Sequence, residues 1–181
     1  NEEGLLTENY GEARRINAGS PEPLWTGGFN TELSWRGISL GIQLEARYGN
    51  KVLNQDRSLF EADGSYGDSN IWKGAMNYWK KPGDTNVLPK PVYNNSSNSS
   101  AISTRYLEDG SYLRIKDITL AYSLPSKWTK KALMSGVRIY ASALNLYTFH
   151  NMNYWDPEHG TTGATIISYP MTRSMIVGVD I

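Results

Sequence analysis

The sequence predicts an all-β fold, a run of barrel-wall strands with long loops, and three observations carry that prediction. Several segments alternate apolar and polar residues over lengths that strands of soluble domains seldom reach. The connections between them are short and long by turns, as are the turns and loops of outer-membrane barrels. No stretch approaches the roughly 20 apolar residues of a membrane helix, whereas a membrane-crossing strand needs only about 9 to 11 residues of alternating character.

Composition narrows the function classes. The 18 Lys and Arg balance 18 Asp and Glu, so no long-range field draws in nucleic acid. Absence of cysteine removes disulfides, thiolate nucleophiles and Cys-based zinc sites. The 12 Tyr and 6 Trp suit aromatic girdles at a membrane interface. The opening NEEGLLTENYGEARRIN is polar and carries no signal sequence, so the protein is either cytosolic or begins upstream.

Taken in order, residues 1–24 read as an extracellular loop segment, and strands are expected at about 26–36, 37–48, 112–124, 137–146 and 172–181, with long loops at 49–111 and 147–171. In the first strand Phe29, Thr31, Leu33 and Trp35 oppose Asn30, Glu32, Ser34 and Arg36. Beyond a tight Arg36-Gly37 turn, Ile38, Leu40, Ile42, Leu44, Ala46 and Tyr48 alternate without error against Ser39, Gly41, Gln43, Glu45 and Arg47. The third strand changes phase at Lys116 and Asp117, between the pair Leu113, Ile115 and the series Ile118, Leu120, Tyr122, Leu124. A β-bulge there would return both sets to one side. The fourth has two half-apolar faces, of which Val137, Ile139, Ala141 and Ala143 are assigned outward. In the last, Met175, Val177, Val179 and Ile181 oppose Ser174, Ile176, Gly178 and Asp180, and the chain stops inside it.

Five such strands are fewer than the roughly 8 of the smallest barrels, so most of the wall is expected to lie outside this chain. Trp25, Trp35, Tyr48, Tyr122 and Tyr140 fall near strand ends, where girdle aromatics sit. Pro125 to Met134 reads as a short amphipathic helix at the periplasmic rim, with Ser126 as its N-cap.

Chemistry-bearing patterns are few. Glu61, Asp63, Ser65 and Asp68 could place oxygens round a cation but lack the EF-hand spacing, and read as a solvated turn cluster. Asn94 to Ser100, NNSSNSS, carries Asn-x-Ser sequons and reads as a mobile loop tip. Asp156, Glu158 and His159 are the only acid/base grouping; without a nucleophile motif or phosphate loop, a structural role is the better reading, with Pro157 fixing the backbone and the acids pairing with nearby Arg or backbone N–H groups, and neither enzyme activity, metal nor cofactor is expected. The loop aromatics Trp72, Tyr78, Trp79 and Tyr93, with Tyr154 and Trp155, are candidates for substrate or partner contact; for Trp72, Tyr78, Trp79 and Tyr93 the reading as the long loop's own core stands somewhat ahead.

The motifs carry a resemblance. Arg105-Tyr-Leu-Glu-Asp109-Gly110-Ser-Tyr112-Leu-Arg114, running on to Tyr122-Ser-Leu-Pro125, closely resembles a signature near the end of SusC-like (RagA-type) TonB-dependent transporters. Pro23-Leu-Trp25-Thr-Gly-Gly28-Phe29, Trp79-Lys-Lys-Pro82-Gly-Asp84-Thr-Asn86, Arg138 to Thr148 with Asn145, Tyr154-Trp-Asp156-Pro157-Glu158 and Tyr169-Pro170-Met-Thr-Arg173 agree with the same family in order and spacing. The resemblance implies the final strands of a barrel of about 22 strands, which brings glycans, oligosaccharides or peptides across the outer membrane. It further implies a SusD-like lipoprotein partner, contact with outer-membrane lipid, and TonB coupling through an N-terminal region absent from this chain. Asp109, Gly110, Tyr112, Arg114, Asn145, Asp156, Pro157 and Glu158 would then be structural motif residues. The competing reading is a free-standing surface β-domain that binds glycan through its Trp- and Tyr-rich loop, with its apolar strand faces buried against each other.

Overall fold

A computed structural model describes the chain except Leu6, Glu8, Asp68, Ser69, Asn86, residues 159–162, residues 166–168 and Pro170. Asp68, Asn86, His159 and Pro170, singled out above, therefore lie outside the described residues. The strands are β1 Trp25–Trp35, β2 Ile38–Tyr48, β3 Lys51–Asn54, β4 Leu107–Asp109, β5 Tyr112–Ser123, β6 Arg138–His150, β7 Ala164–Thr165 and β8 Ser174–Asp180; α1 spans Gln55–Glu61 and α2 spans Ser126–Thr129. The chain divides into two units. One holds residues 21–51, 109–158 and 169–181, the other residues 1–20, 52–108 and 159–168.

The first unit is a five-stranded antiparallel sheet in the order β1-β2-β5-β6-β8. Its register puts the apolar series of every strand on one side. Leu33, Leu40, Leu120, Ala141 and Val177 form one row across the sheet, and Phe29, Leu44, Ile115 and Tyr147 another. Among the described residues this face lies open: Met175 is 81% and Val177 79% exposed. Water would oppose such an arrangement at roughly 25 cal/mol for each Å² of apolar surface, so the face fits an apolar medium instead. The free-standing domain with mutually buried strand faces is not what the chain builds.

Aromatics close both ends of the apolar band. Trp25 stacks on Tyr48 at 6.0 Å and Tyr147 meets Phe149 edge-on at 4.7 Å, while Trp35 and Tyr122 flank Ile38 at the other end. Tyr140 does not join them. It pairs with Ala121 and Gly178 on the polar side, its ring so close over Gly178 that a Cβ there would lie 2.5 Å from it. Small partners on both neighbouring strands decide its face.

β1 and β2 turn through two residues, Arg36 (φ 49°) and Gly37 (φ 88°), the positive-φ pair that matches strand twist. A side chain at Gly37 would meet the Ser123 carbonyl at 2.9 Å.

The bulge expected at Lys116 is present. Gln43 pairs with Asp117 and Leu44 with Ile115, so Lys116 is an extra residue opposite none in β2. At the same level β6 passes through Asn145 and Leu146, Asn145 with φ 51°, between the partners of Asp117 and Ile115. The expected strand ends at 146, whereas β6 runs on past Asn145 through Tyr147 and Phe149 and ends at His150. Between β5 and β6, α2 begins at Ser126, and Pro125 rather than Ser126 holds the cap position, with no side-chain cap bond.

The second unit contains the long loop. A small sheet in the order β4-β3-β7 and the helix α1 enclose Val52, Ala62, Ala75 and Tyr106. The Asn54 side chain caps α1 by accepting from the Arg57 backbone N–H at 3.3 Å. The Tyr10 hydroxyl donates to the Ile102 carbonyl and fastens the opening residues to this unit.

Candidate functional site

The polar side of the sheet carries a hydrogen-bonded network whose members alternate with the apolar residues. The Tyr112 hydroxyl donates to Glu45 at 2.8 Å, and the bulged Lys116 pairs with the same carboxylate. Thr119 and Ser142 both donate to Asp117, at 2.8 and 2.9 Å.

At one end of β5 the network becomes a clamp. Arg114 is fully buried; its Nε donates to Thr148 at 2.9 Å, one terminal nitrogen to Asp156 at 2.5 Å and the other to Glu158. Pro157 between the two carboxylates is also fully buried. A guanidinium fork with all three nitrogens engaged fixes loop 151–158 on the sheet. The same carboxylates are thereby committed to structure, which weakens the acid/base alternative for Asp156 and Glu158.

Just before β5, Asp109 accepts from the Ser111 hydroxyl at 2.6 Å and its N–H at 3.1 Å. The Ser111 hydroxyl bond, aided by that N–H and opposed by burial, holds the Asp109 carboxyl below its usual range. Ser111 Oγ in turn accepts from Gly49 N–H at 3.0 Å, and Gly110 N–H donates to the Asn50 carbonyl at 2.9 Å. The motif residues from Asp109 to Arg114 thus tie the end of β5 to the strands on both sides.

Beside the clamp lies a cavity of about 380 Å³ walled by Tyr154, Trp155, His150, Thr148 and Asn145. Tyr154 has φ 71°, a conformation that a bulky side chain adopts rarely, and its ring is exposed. An aromatic wall with hydrogen-bonding groups beside it can hold a polar organic ligand with apolar faces.

The other loop aromatics divide. Trp72 stacks on Phe60 at 5.3 Å with nearly parallel rings, so it is part of the loop's own core. Tyr78 is half-buried with the Lys80 ammonium 5.3 Å over its ring. Trp79 is more open, and Tyr93 is 81% exposed. The second unit has a further cluster that sequence reading missed. Arg105 pairs with Asp63 at 2.5 Å and Glu61 at 3.0 Å, and Arg57 pairs with Glu61 and Glu108, each at 2.7 Å. Glu61 and Asp63 are buried, not a solvated turn. Burial opposes the Arg105 charge most strongly, but the bond to Asp63 together with the charges of Tyr106, Asp63 and Glu61 keeps its pKa above the ordinary value. Only the i,i+4 spacing of Arg57 and Glu61 was a local signal; the other partners are distant in sequence. Asn94 to Ser100 is likewise folded, around a buried Asn95 that donates to Ser65 and Ser100 at 3.0 and 2.8 Å and accepts from Ser99. Burial of Asn95 also takes that sequon out of reach.

Both guanidinium groups flank Tyr106, whose buried hydroxyl has no partner among the described residues. Burial pushes this phenol up to about 12, with the Arg105 charge acting in the opposite direction. An unfolded tyrosine ionises near 10, so the folded loop retains a proton that the unfolded chain releases. The contribution of this phenol to stability is level below pH 10 and falls as pH rises to about 12, by at most ~3 kcal/mol. A tyrosinate-absorbance titration of the parent minus Tyr106→Phe should show a step near 12; a step near 10 would refute it.

No family model matches the chain. It is 30% identical to TonB-dependent receptor P3 of Formosa agariphila over 179 residues, 93% of this chain and 17% of that protein. It is 26% identical to TonB-dependent receptor P26 of the same organism over 177 residues, 90% of this chain and 17% of the relative. Among solved structures, the RagAB peptide importer in its "closed-closed" state matches at TM-score 0.76 and 30% identity over 90% of this chain and 18% of that chain. The "open-open" state of the same importer matches at TM-score 0.69 and 26% identity. The chain thus spans about a sixth of the length of the relatives it matches.

Proposed function

From a chain homologous to TonB-dependent receptors along nearly all of its length, we propose a stretch of wall and loops from an outer-membrane importer that draws energy from TonB. The observation that carries this reading is the one-sided apolar face with aromatics at both ends and a polar network behind it. The whole receptor would take up nutrient through the barrel, and peptides are the favoured class because the structurally similar RagAB is a peptide importer; oligosaccharide is the other class the loop aromatics suit. The loops 49–111 and 151–173 would face outward. Tyr93, Trp79 and Tyr154 would there meet substrate or a SusD-like lipoprotein, while Trp72 supports the loop from inside.

Antibody against residues 70–93 should find a heat-modifiable outer-membrane band far larger than 20.3 kDa. A soluble band near that mass would sink the proposal.

Charge placement gives a second test. In the full-length receptor, Leu40→Arg and Val177→Arg on the apolar face should each cost about 2–4 kcal/mol, and Gln43→Arg on the polar face about 0.5 kcal/mol or less, read from urea midpoints in vesicles. Equal costs would mean that the two faces see the same medium. Tyr154→Ala should weaken uptake about tenfold if the cavity holds substrate, with membrane levels of the receptor unchanged.

A further inference from the structure

The connection between β5 and β6, residues 125–136, is built to meet something other than water. It is folded: Trp128 N–H donates to the Pro125 carbonyl at 2.8 Å, Met134 N–H to Thr129 at 3.1 Å, and Thr129 is buried at its centre. Yet Trp128 is 62% exposed and Leu133 97% exposed, and Leu133 stands at φ 57°, where glycine is the favoured residue. Backbone strain holding a leucine out in water is unfavourable on both counts.

The charges carried by the connection itself are of one sign. Lys127, Lys130 and Lys131 are all exposed, and none forms an ion pair among the described residues. From Ile118 to Trp155 the sequence contains no Asp or Glu at all. The connection also continues the apolar band: Leu124 N–H donates to the Val137 carbonyl at 2.8 Å, one step beyond the outward pair Tyr122 and Ile139, beside Ile38 and Trp35.

We propose that residues 125–136 are an anionic-phospholipid anchor, in which Trp128 and Leu133 enter the edge of the apolar layer and the three lysines take lipid phosphate groups. Lysine stems lie along apolar surface while the ammonium groups reach the headgroups, and a tryptophan beside them sits at the same depth. An acidic protein surface would satisfy the charge but not a tryptophan and a leucine at the border of a lipid-facing band. The inference rests on the barrel-wall reading above.

The chain has no cysteine, so Leu133→Cys and Val177→Cys can each carry one environment-sensitive fluorophore in a full-length receptor cleared of other cysteines. Vesicles of phosphatidylethanolamine and phosphatidylglycerol, brominated on one lipid or the other, report which lipid lies nearest. At 133, brominated phosphatidylglycerol should quench about twofold more than brominated phosphatidylethanolamine at equal content, and Lys127→Gln, Lys130→Gln and Lys131→Gln together should remove the difference. Quenching at 177 without quenching at 133 overturns the anchor and leaves the wall standing. Equal quenching by both lipids at 133 overturns its anionic preference. Absence of quenching at 177 overturns the barrel wall itself.

Discussion

Replacing Arg114 by alanine should release loop 151–158 from the sheet and destabilise the folded protein by about 3–5 kcal/mol. The size follows from what is left behind. Arg114 is fully buried and serves two carboxylates and a hydroxyl; without it Asp156 and Glu158 lose the guanidinium they share. Glu158→Gln removes one arm and keeps the other, so its effect should be less than half as large. Asp156→Asn with Glu158→Gln in the Arg114→Ala background should recover part of the loss, because the repulsion goes with the charges. Protease cleavage after Asn151 and the urea midpoint together would measure it. A cleavage rate unchanged in Arg114→Ala would show that the loop is held by something else.

A comparable loss is expected from a single methyl group at Gly64. Its φ is 89°, and a Cβ would lie 2.3 Å from the Val92 carbonyl oxygen, a backbone atom that cannot swing aside. Val92 N–H donates to Asp63 at 3.1 Å, and Asp63 holds Arg105, so displacement of Val92 reaches the ion-pair cluster. Left-handed geometry and overpacking together put Gly64→Ala at about 3 kcal/mol or more, confined to the long loop. Hydrogen exchange should rise across residues 52–108 while the strands β1, β2, β5 and β6 keep their protection. If the strands loosen equally, loop and wall are one cooperative unit.

Much of the five-stranded sheet was legible because a strand with one apolar face leaves a period of two in the sequence. Ile38 to Tyr48 shows it without error, and even the bulge at Lys116 announced itself as a change of phase. β6 was harder: both its faces are half apolar, and the placing of Tyr140 depends on Ala121 and Gly178, which belong to other strands. The loop cluster was hidden for a related reason. Arg57, Glu61, Asp63, Arg105 and Glu108 come from separate segments, and a charged residue looks the same in sequence whether solvated or paired in a core. Asn95 shows the same limit, since seven small polar residues in a row carry no sign that one of them organises the rest.

Consider the level of the sheet at which β2 steps directly from Gln43 to Leu44. Across that step β5 inserts Lys116, and β6 inserts Asn145 and Leu146, so three neighbours traverse one stretch with none, one and two additional residues. Path lengths that grow from strand to strand cannot lie flat, and the sheet must coil there. Part of the coiling of the sheet is therefore encoded in a graded excess of three residues rather than in any contact. Deleting Lys116 would leave every side chain of β5 on its present side, with Asp117 still opposite Gln43 and Ile115 opposite Leu44, yet it would straighten the sheet at that height.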